Sequence, residues 1–230
     1  MTFSPAQHYF LYVLLFAAAV VAIAIPLARL QTRRRTREMQ TAAREIGFTF
    51  EGADWIDLMQ SPQLDSILFV KGAGGRWSNV MTGTVSGLKT SIFDYSCGIA
   101  RSRRGGYTQT VVAFSQEMQL PMFAVCPNTA SDPIRGPSHY HEMDFDFSNR
   151  YVLRGPDEEK MRELLTPALT STLLSFTPED GWHIEGMGTT LVLYRMGATV
   201  RTAEFPAFLQ QTSLIARTFF DLCGPKKPVA

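Results

Sequence analysis

Three cysteines, at positions 97, 126 and 223, are too few and too widely spaced to staple a chain of 230 residues with disulfides. An excess of one charge is also missing, since the formal net charge is only +1. That balance excludes a surface built throughout to grip nucleic acid. A charged fraction of 19% with 11% aromatic residues excludes a disordered chain as well. The sharpest shortage is local. Residues 1–28 contain no Asp, Glu, Lys or Arg.

Within that stretch, residues 9–28 would form a helix about 30 Å long, the thickness of a bilayer's hydrocarbon core. Eleven of those 20 residues are Leu, Ile, Phe or Val. Together they favour insertion by roughly 3–7 kcal/mol. Tyr9 and Tyr12 stand near one end, as in an aromatic belt, and Pro26 near the other. A soluble core helix is rarely apolar on every side for so many turns. Ala22-Ile23-Ala24 resembles a small-residue cleavage site, but signal peptides carry their positive charge ahead of the apolar run. Here the charge follows it, as Arg29, Arg33, Arg34, Arg35 and Arg37, opposed nearby only by Glu38. The positive-inside rule then puts the N-terminus outside and the rest of the chain in the cytoplasm. Three unpaired thiols suit that reducing compartment.

Taking those five arginines from 22 basic residues leaves 17, and taking Glu38 from 21 acidic ones leaves 20. The domain is thus mildly acidic and its neck strongly basic, which suits contact between the five arginines and anionic headgroups. Setting topology alone would also account for them.

In the neck, Met39, Ala42, Ala43 and Ile46 recur at helical spacing before Gly47, so the membrane helix is expected to run on to that glycine. A short strand at 48–50 precedes a helical stretch at 55–69, restarted by Ser61-Pro62. Strands are predicted at 80–85 and 89–95 around a Ser86-Gly87 turn, then at 107–114 and 122–125. Such short connections fit an antiparallel meander. A strand at 151–154 leads to a helix opened by Pro156, with Asp157, Glu158 and Glu159 in its first turn, and Thr166-Pro167 restarts it. Residues 182–185 and 190–194 read as a hairpin around Gly186 and Gly188. A closing helix over 205–222 carries Phe208, Leu209, Thr212, Ile215, Ala216, Phe219 and Leu222 on one face. The fold expected is α+β: an N-terminal transmembrane helix, then mainly antiparallel β-sheet packed against helices. The expected divisions are an extracytoplasmic N-terminus (1–8), the span (9–30), a basic helical neck (31–47), a cytoplasmic domain (48–224) and a tail (225–230).

Few motifs carry chemistry. Gly72-Ala73-Gly74-Gly75-Arg76 lacks the Gly-Lys-Ser/Thr ending of a P-loop, Trp77 fills the third-glycine position of a dinucleotide fingerprint, and strand follows instead of helix. His139-Tyr140-His141-Glu142 would put two histidines on one face of a strand, a spacing found in zinc and iron sites. Only His8 and His183 remain to complete a shell, unless a distant carboxylate does so. No Gly-x-Ser-x-Gly elbow occurs, and Cys126 and Cys223 read as packing residues. Asp94, between Phe93 and Tyr95, is either a buried functional acid or, as the alternation of the strand favours, a solvent-facing position. Arg101, Arg103 and Arg104, at a predicted hairpin tip, are candidates for touching an anionic ligand or acidic partner.

Residues 79–95, Tyr151-Val152-Leu153-Arg154-Gly155-Pro156-Asp157-Glu158-Glu159, Leu165-Thr166-Pro167-Ala168-Leu169 and Leu191-Val192-Leu193-Tyr194-Arg195 together resemble a group of bacterial single-pass membrane proteins. Those proteins carry a cytoplasmic domain of unknown function. The resemblance spans roughly residues 40–222 and implies the bacterial inner membrane, but it brings no catalytic residues. The reading that follows is a membrane-anchored, non-enzymatic binding or scaffolding domain. Its expected partners are the lipid bilayer and a membrane protein, with no nucleic acid and no cofactor. The alternative is a membrane-associated metal enzyme built on His139 and His141.

Overall fold

The computed structural model describes residues 5–52, 75–97, 106–128, 140–141, 145–176 and 181–223. It opens with a single helix, α1 (Pro5–Glu45), about 60 Å long, which joins the apolar segment to the neck without a break. Its apolar half is exposed, and the helix is long and apolar enough to cross a membrane. Gly47, at φ +73°, ends it in the left-handed conformation that glycine adopts most easily.

Among the described residues seven strands follow, all antiparallel in their pairings: β1 (Thr49–Gly52), β2 (Arg76–Val85), β3 (Leu88–Cys97), β4 (Tyr107–Pro127), β5 (Tyr140–His141), β6 (Tyr151–Arg154) and β7 (Trp182–Arg195). β1 to β4 lie side by side in chain order as the expected meander. Ser86 and Gly87, both at positive φ, close the turn between β2 and β3. β4 is the spine. Its first half pairs with β3 on one edge, its last residues pair with β6, and β7 runs along it from Val111 to Val125.

Two expectations change here. Residues 107–114 and 122–125 belong to one 21-residue strand, and 182–185 and 190–194 to one 14-residue strand instead of a hairpin. The breaks read as turns are irregularities in the β4–β7 ladder. In β7, Trp182 and Ile184 enter the main core, and so do Leu191 and Leu193, so the alternation changes parity between them. Gly188, at φ +56°, lies in that interval, which is the geometry of a bulge. In β4 the parity changes between Leu120 and Phe123, where Pro121 sits at an irregularity and its missing N–H costs little.

The main core fills the space between one sheet face and the helices. These are the end of α1, α2 (Phe145–Arg150), α3 (Glu158–Leu164), α4 (Pro167–Leu174) and α5 (Phe205–Cys223), the last preceded by a 3-10 turn, Thr202–Glu204. Phe208, Leu209, Thr212, Ile215, Ala216 and Phe219 of α5 are buried, matching the face read from the sequence, and Phe219 stacks on Phe123 at 5.0 Å. α4 starts where expected, with Thr166 capping the N–H of Leu169 and Pro167 in the first turn. α3 starts two residues later than Pro156. Asp157 is its N-cap, accepting from the N–H of Lys160, and does not lie within the first turn. A second, smaller cluster occupies the opposite sheet face: Val80, Phe93, Tyr95, Val111, Ala113, Val192 and Tyr194. Both faces of the central sheet are therefore buried.

Gly186 owes its place to close approach. A Cβ there would fall 2.1 Å from Cε1 of Phe123, whose ring stacks on α5. Gly186→Ala is expected to cost about 1–3 kcal/mol, the usual range for forcing an extra carbon into a packed core. Urea unfolding of the detergent-solubilised chain measures it, and an unchanged midpoint would contradict the bulge geometry.

Candidate functional site

One cluster of converging polar side chains lies where α1 meets the sheet. Asp94 of β3 is buried, with 3% of its side chain exposed. Arg35 of α1, 59 residues away in sequence, grips it with a two-pronged fork: Nε donates to Oδ2 and Nη2 to Oδ1, both at 2.9 Å. Asn79 Nδ2 donates to Oδ2 at 3.0 Å and the Thr110 hydroxyl to Oδ1 at 2.9 Å, so each carboxylate oxygen accepts two bonds. The third guanidinium nitrogen, Nη1, donates to the Val200 carbonyl at 2.7 Å. Val200 in turn donates its N–H to the Thr110 hydroxyl. One arginine thus ties the neck to β3, β4 and the segment entering α5. Bidentate arginine–carboxylate pairs of this kind are the strongest and most directional ion pairs available.

Local structure aims each partner. β3 alternates so that Leu88, Ile92 and Asp94 share the face turned toward the helices, while Phe93 and Tyr95 belong to the opposite cluster. Asn79 sits at φ +56°, beside an irregularity in the β2–β3 ladder, a conformation asparagine tolerates better than most residues. Its carbonyl oxygen accepts from Thr36 of α1 at 2.8 Å. Below this network Met39, Ala42 and Ala43 are buried in the main core. The expectation that Asp94 faces solvent is overturned, because both faces of β3 are covered from Ile92 to Tyr95.

Of the five neck arginines, Arg35 alone turns inward, with 21% of its side chain exposed. Arg29, Arg33, Arg34 and Arg37 are exposed. Arg34 pairs with Glu38 one turn on, at 2.9 Å. His141 lies in β5 opposite Leu153. His139, Arg101, Arg103 and Arg104 lie outside the described residues. Among the described residues no group of three or more His, Cys, Asp or Glu could hold a metal.

A second polar cluster, which the sequence did not suggest, lies on the other sheet face. The Tyr194 hydroxyl donates to Glu185 Oε1 at 2.7 Å, and the His183 ring stacks on Tyr194 at 4.9 Å. All three are buried, as is the reduced thiol of Cys126. Residues 185 and 194 of a straight strand would stand about 30 Å apart, so this contact requires β7 to fold back strongly at its bulge. Burial, and then the Glu185 carboxylate, pushes the Tyr194 phenol well above its ordinary value. It stays protonated and serves as a fixed donor.

Arg35→Ala strands a buried carboxylate and is expected to cost about 3 kcal/mol, the low end for a broken buried pair because Arg35 keeps some exposure. Asp94→Ala alone strands the guanidinium, and the double variant is expected to lose less than the two singles combined. Urea unfolding in detergent measures the cycle, and strict additivity would show that the pair is not coupled. Tyr194→Phe removes a donor to a charged group, at about 1.5–3 kcal/mol near neutral pH. Because the folded phenol titrates above its unfolded value near 10, its contribution is complete below that pH and is lost as pH rises through the folded value. Stability of the unaltered chain should fall in that alkaline range, and more gently in Tyr194→Phe.

No protein-family model and no curated protein sequence matches the chain. Its fold is similar to that of the mycobacterial trehalose monomycolate transport factor A, TtfA, whose crystal structure superposes with a TM-score of 0.58. The identity is 13%, over 83% of this chain and 98% of that one, so what the two share is the fold.

Proposed function

We propose that this is a single-pass protein of the bacterial inner membrane, N-terminus outside, whose cytoplasmic domain is a non-enzymatic binding or scaffolding module working next to the bilayer. The divisions expected from the sequence carry over, with residues 9–30 as the span and 48–224 as the domain. The observation that carries this reading is the Arg35–Asp94 clamp on a continuous helix. A domain meant to reach away from the membrane would hang on a loose linker; this one is bolted to its anchor. The fold's likeness to a protein named as a trehalose monomycolate transport factor supports a role in transport next to the membrane, with a membrane protein as the expected partner. Arg29, Arg33, Arg34 and Arg37 face outward to meet headgroups, while Arg101, Arg103 and Arg104 are a second candidate contact. The metal-enzyme alternative draws no support from the described residues.

Two measurements test this. A reporter fused after Ala230 should be active only in the cytoplasm; periplasmic activity would overturn the topology. Extraction in gentle detergent should release the protein in a complex larger than a monomer in its micelle. A lone monomer would overturn the scaffolding role.

A further inference from the structure

The face of α1 turned away from the clamp has an order along it. Ile23, Leu27 and Leu30 are exposed and follow one another in steps of four and three residues. The same steps continue into Arg33, Arg34 and Arg37, and then to Thr41. From Leu30 onward this face forms one wall of an open groove of about 760 Å³, with Thr202 and Ala203 of the 3-10 turn on the other side. Arg34 is partly neutralised by Glu38. Arg33 and Arg37, also in the groove, have no carboxylate within ion-pair distance among the described residues. Arg33 also lines a smaller hollow of about 370 Å³ with Ala28, Arg29 and Thr32.

We infer that this groove is a binding site for an anionic phospholipid, its phosphate held between Arg33 and Arg37 and its acyl chain lying on Leu30, Leu27 and Ile23. The sequence of chemistries along the face matches the lipid's own: hydrocarbon, then phosphate, then a polar headgroup beside Thr41, Thr202 and the carboxylate of Glu45, which lines the far end of the groove. Two guanidinium groups one helical turn apart suit a phosphate, which each can bind through paired N–H donors. The clamp matters here, because it brings Thr202 and Ala203 alongside the helix: Arg35 holds the Val200 carbonyl two residues before Thr202. A bare basic helix would attract anionic lipid diffusely; a walled groove selects a bound molecule. This inference rests on the membrane placement proposed above, though not on the scaffolding role or on which side the domain occupies.

The full chain in detergent, titrated with phosphatidylglycerol or phosphatidylcholine and read by native mass spectrometry, tests it. One phosphatidylglycerol should bind in preference to phosphatidylcholine. Arg33→Ser/Arg37→Ser should weaken that binding about thirtyfold, the loss expected for two arginines near a lipid surface. Arg33→Lys/Arg37→Lys keeps the charge but loses the fork, and should bind several-fold more weakly than the native pair. Inorganic phosphate should compete only at far higher concentration than the lipid; equal competition would identify free phosphate as the ligand and overturn the lipid assignment. Equal binding by the lysine variant would reduce the groove to diffuse charge, and equal binding by the serine variant would remove the site altogether. The variants alter exposed side chains, and their unfolding midpoints should match the native one. A periplasmic reporter with lipid binding intact would sink the topology alone, whereas a cytoplasmic reporter with no lipid preference would sink the groove alone.

Discussion

A long apolar helix that continues into a folded domain can be held by grease or by charge, and here the two divide the work. Met39, Ala42 and Ala43 remove apolar surface from water, which favours docking but tolerates a helix that slides or rotates slightly. The Arg35–Asp94 pair does not tolerate it. Two parallel N–H donors meet two carboxylate oxygens within a narrow range of angle and distance, and a shift of one helical step would strand both charges. A buried ion pair adds little to stability over a well-packed apolar pair of the same size. Its contribution here is a fixed register between anchor and domain. Thr110, Asn79 and the Val200 carbonyl complete the coordination, so the register is shared among strands that are distant in sequence.

The sheet is shaped to receive that helix. β4 and β7 are too long to stay flat, and each changes parity once, at Pro121 and at Gly186 to Gly188. The bulges bend the pair so that the first half of β4 carries the meander and the last residues carry β6. They also bring Glu185 back to Tyr194, closing a buried polar cluster on the far face. A phenol held protonated beside a carboxylate acts as a rivet. It ties the two ends of β7 together across the bulge.

How much of this was legible in the sequence follows from how local each signal is. α1, the Ser86-Gly87 turn, the restart at Thr166-Pro167 and the apolar face of α5 depend on neighbours within four residues, and all were readable. Gly186, Gly188 and Pro121 were visible as interruptions, but a glycine or proline interrupts a turn and a bulge alike. Which one it makes is decided by a partner strand about 65 residues away. Asp94 was assigned to solvent because an antiparallel sheet commonly has a wet face. Two separate clusters cover both sides of β3, and nothing within β3 itself says so.

Arg35 is the instructive case. Five arginines past an apolar run read as one group, since topology depends on their number and side. Helical phase separates them. The spacing that picks out Met39, Ala42, Ala43 and Ile46 as a docking face extends one turn upstream to Arg35, while Arg33, Arg34 and Arg37 fall on the other side. An arginine in phase with an apolar face needs a buried anion to meet it, and an aspartate among Ile92, Phe93 and Tyr95 needs a buried cation. Each was visible alone; only the fold pairs them. Arg35 lies seven residues, about 10 Å along the helix, beyond Ala28, where the uncharged stretch ends. The clamp therefore grips the helix within two turns of that stretch. A helix fixed in rotation by Arg35 also fixes the direction in which Arg33, Arg34 and Arg37 point, so the inward arginine sets the placement of the outward ones.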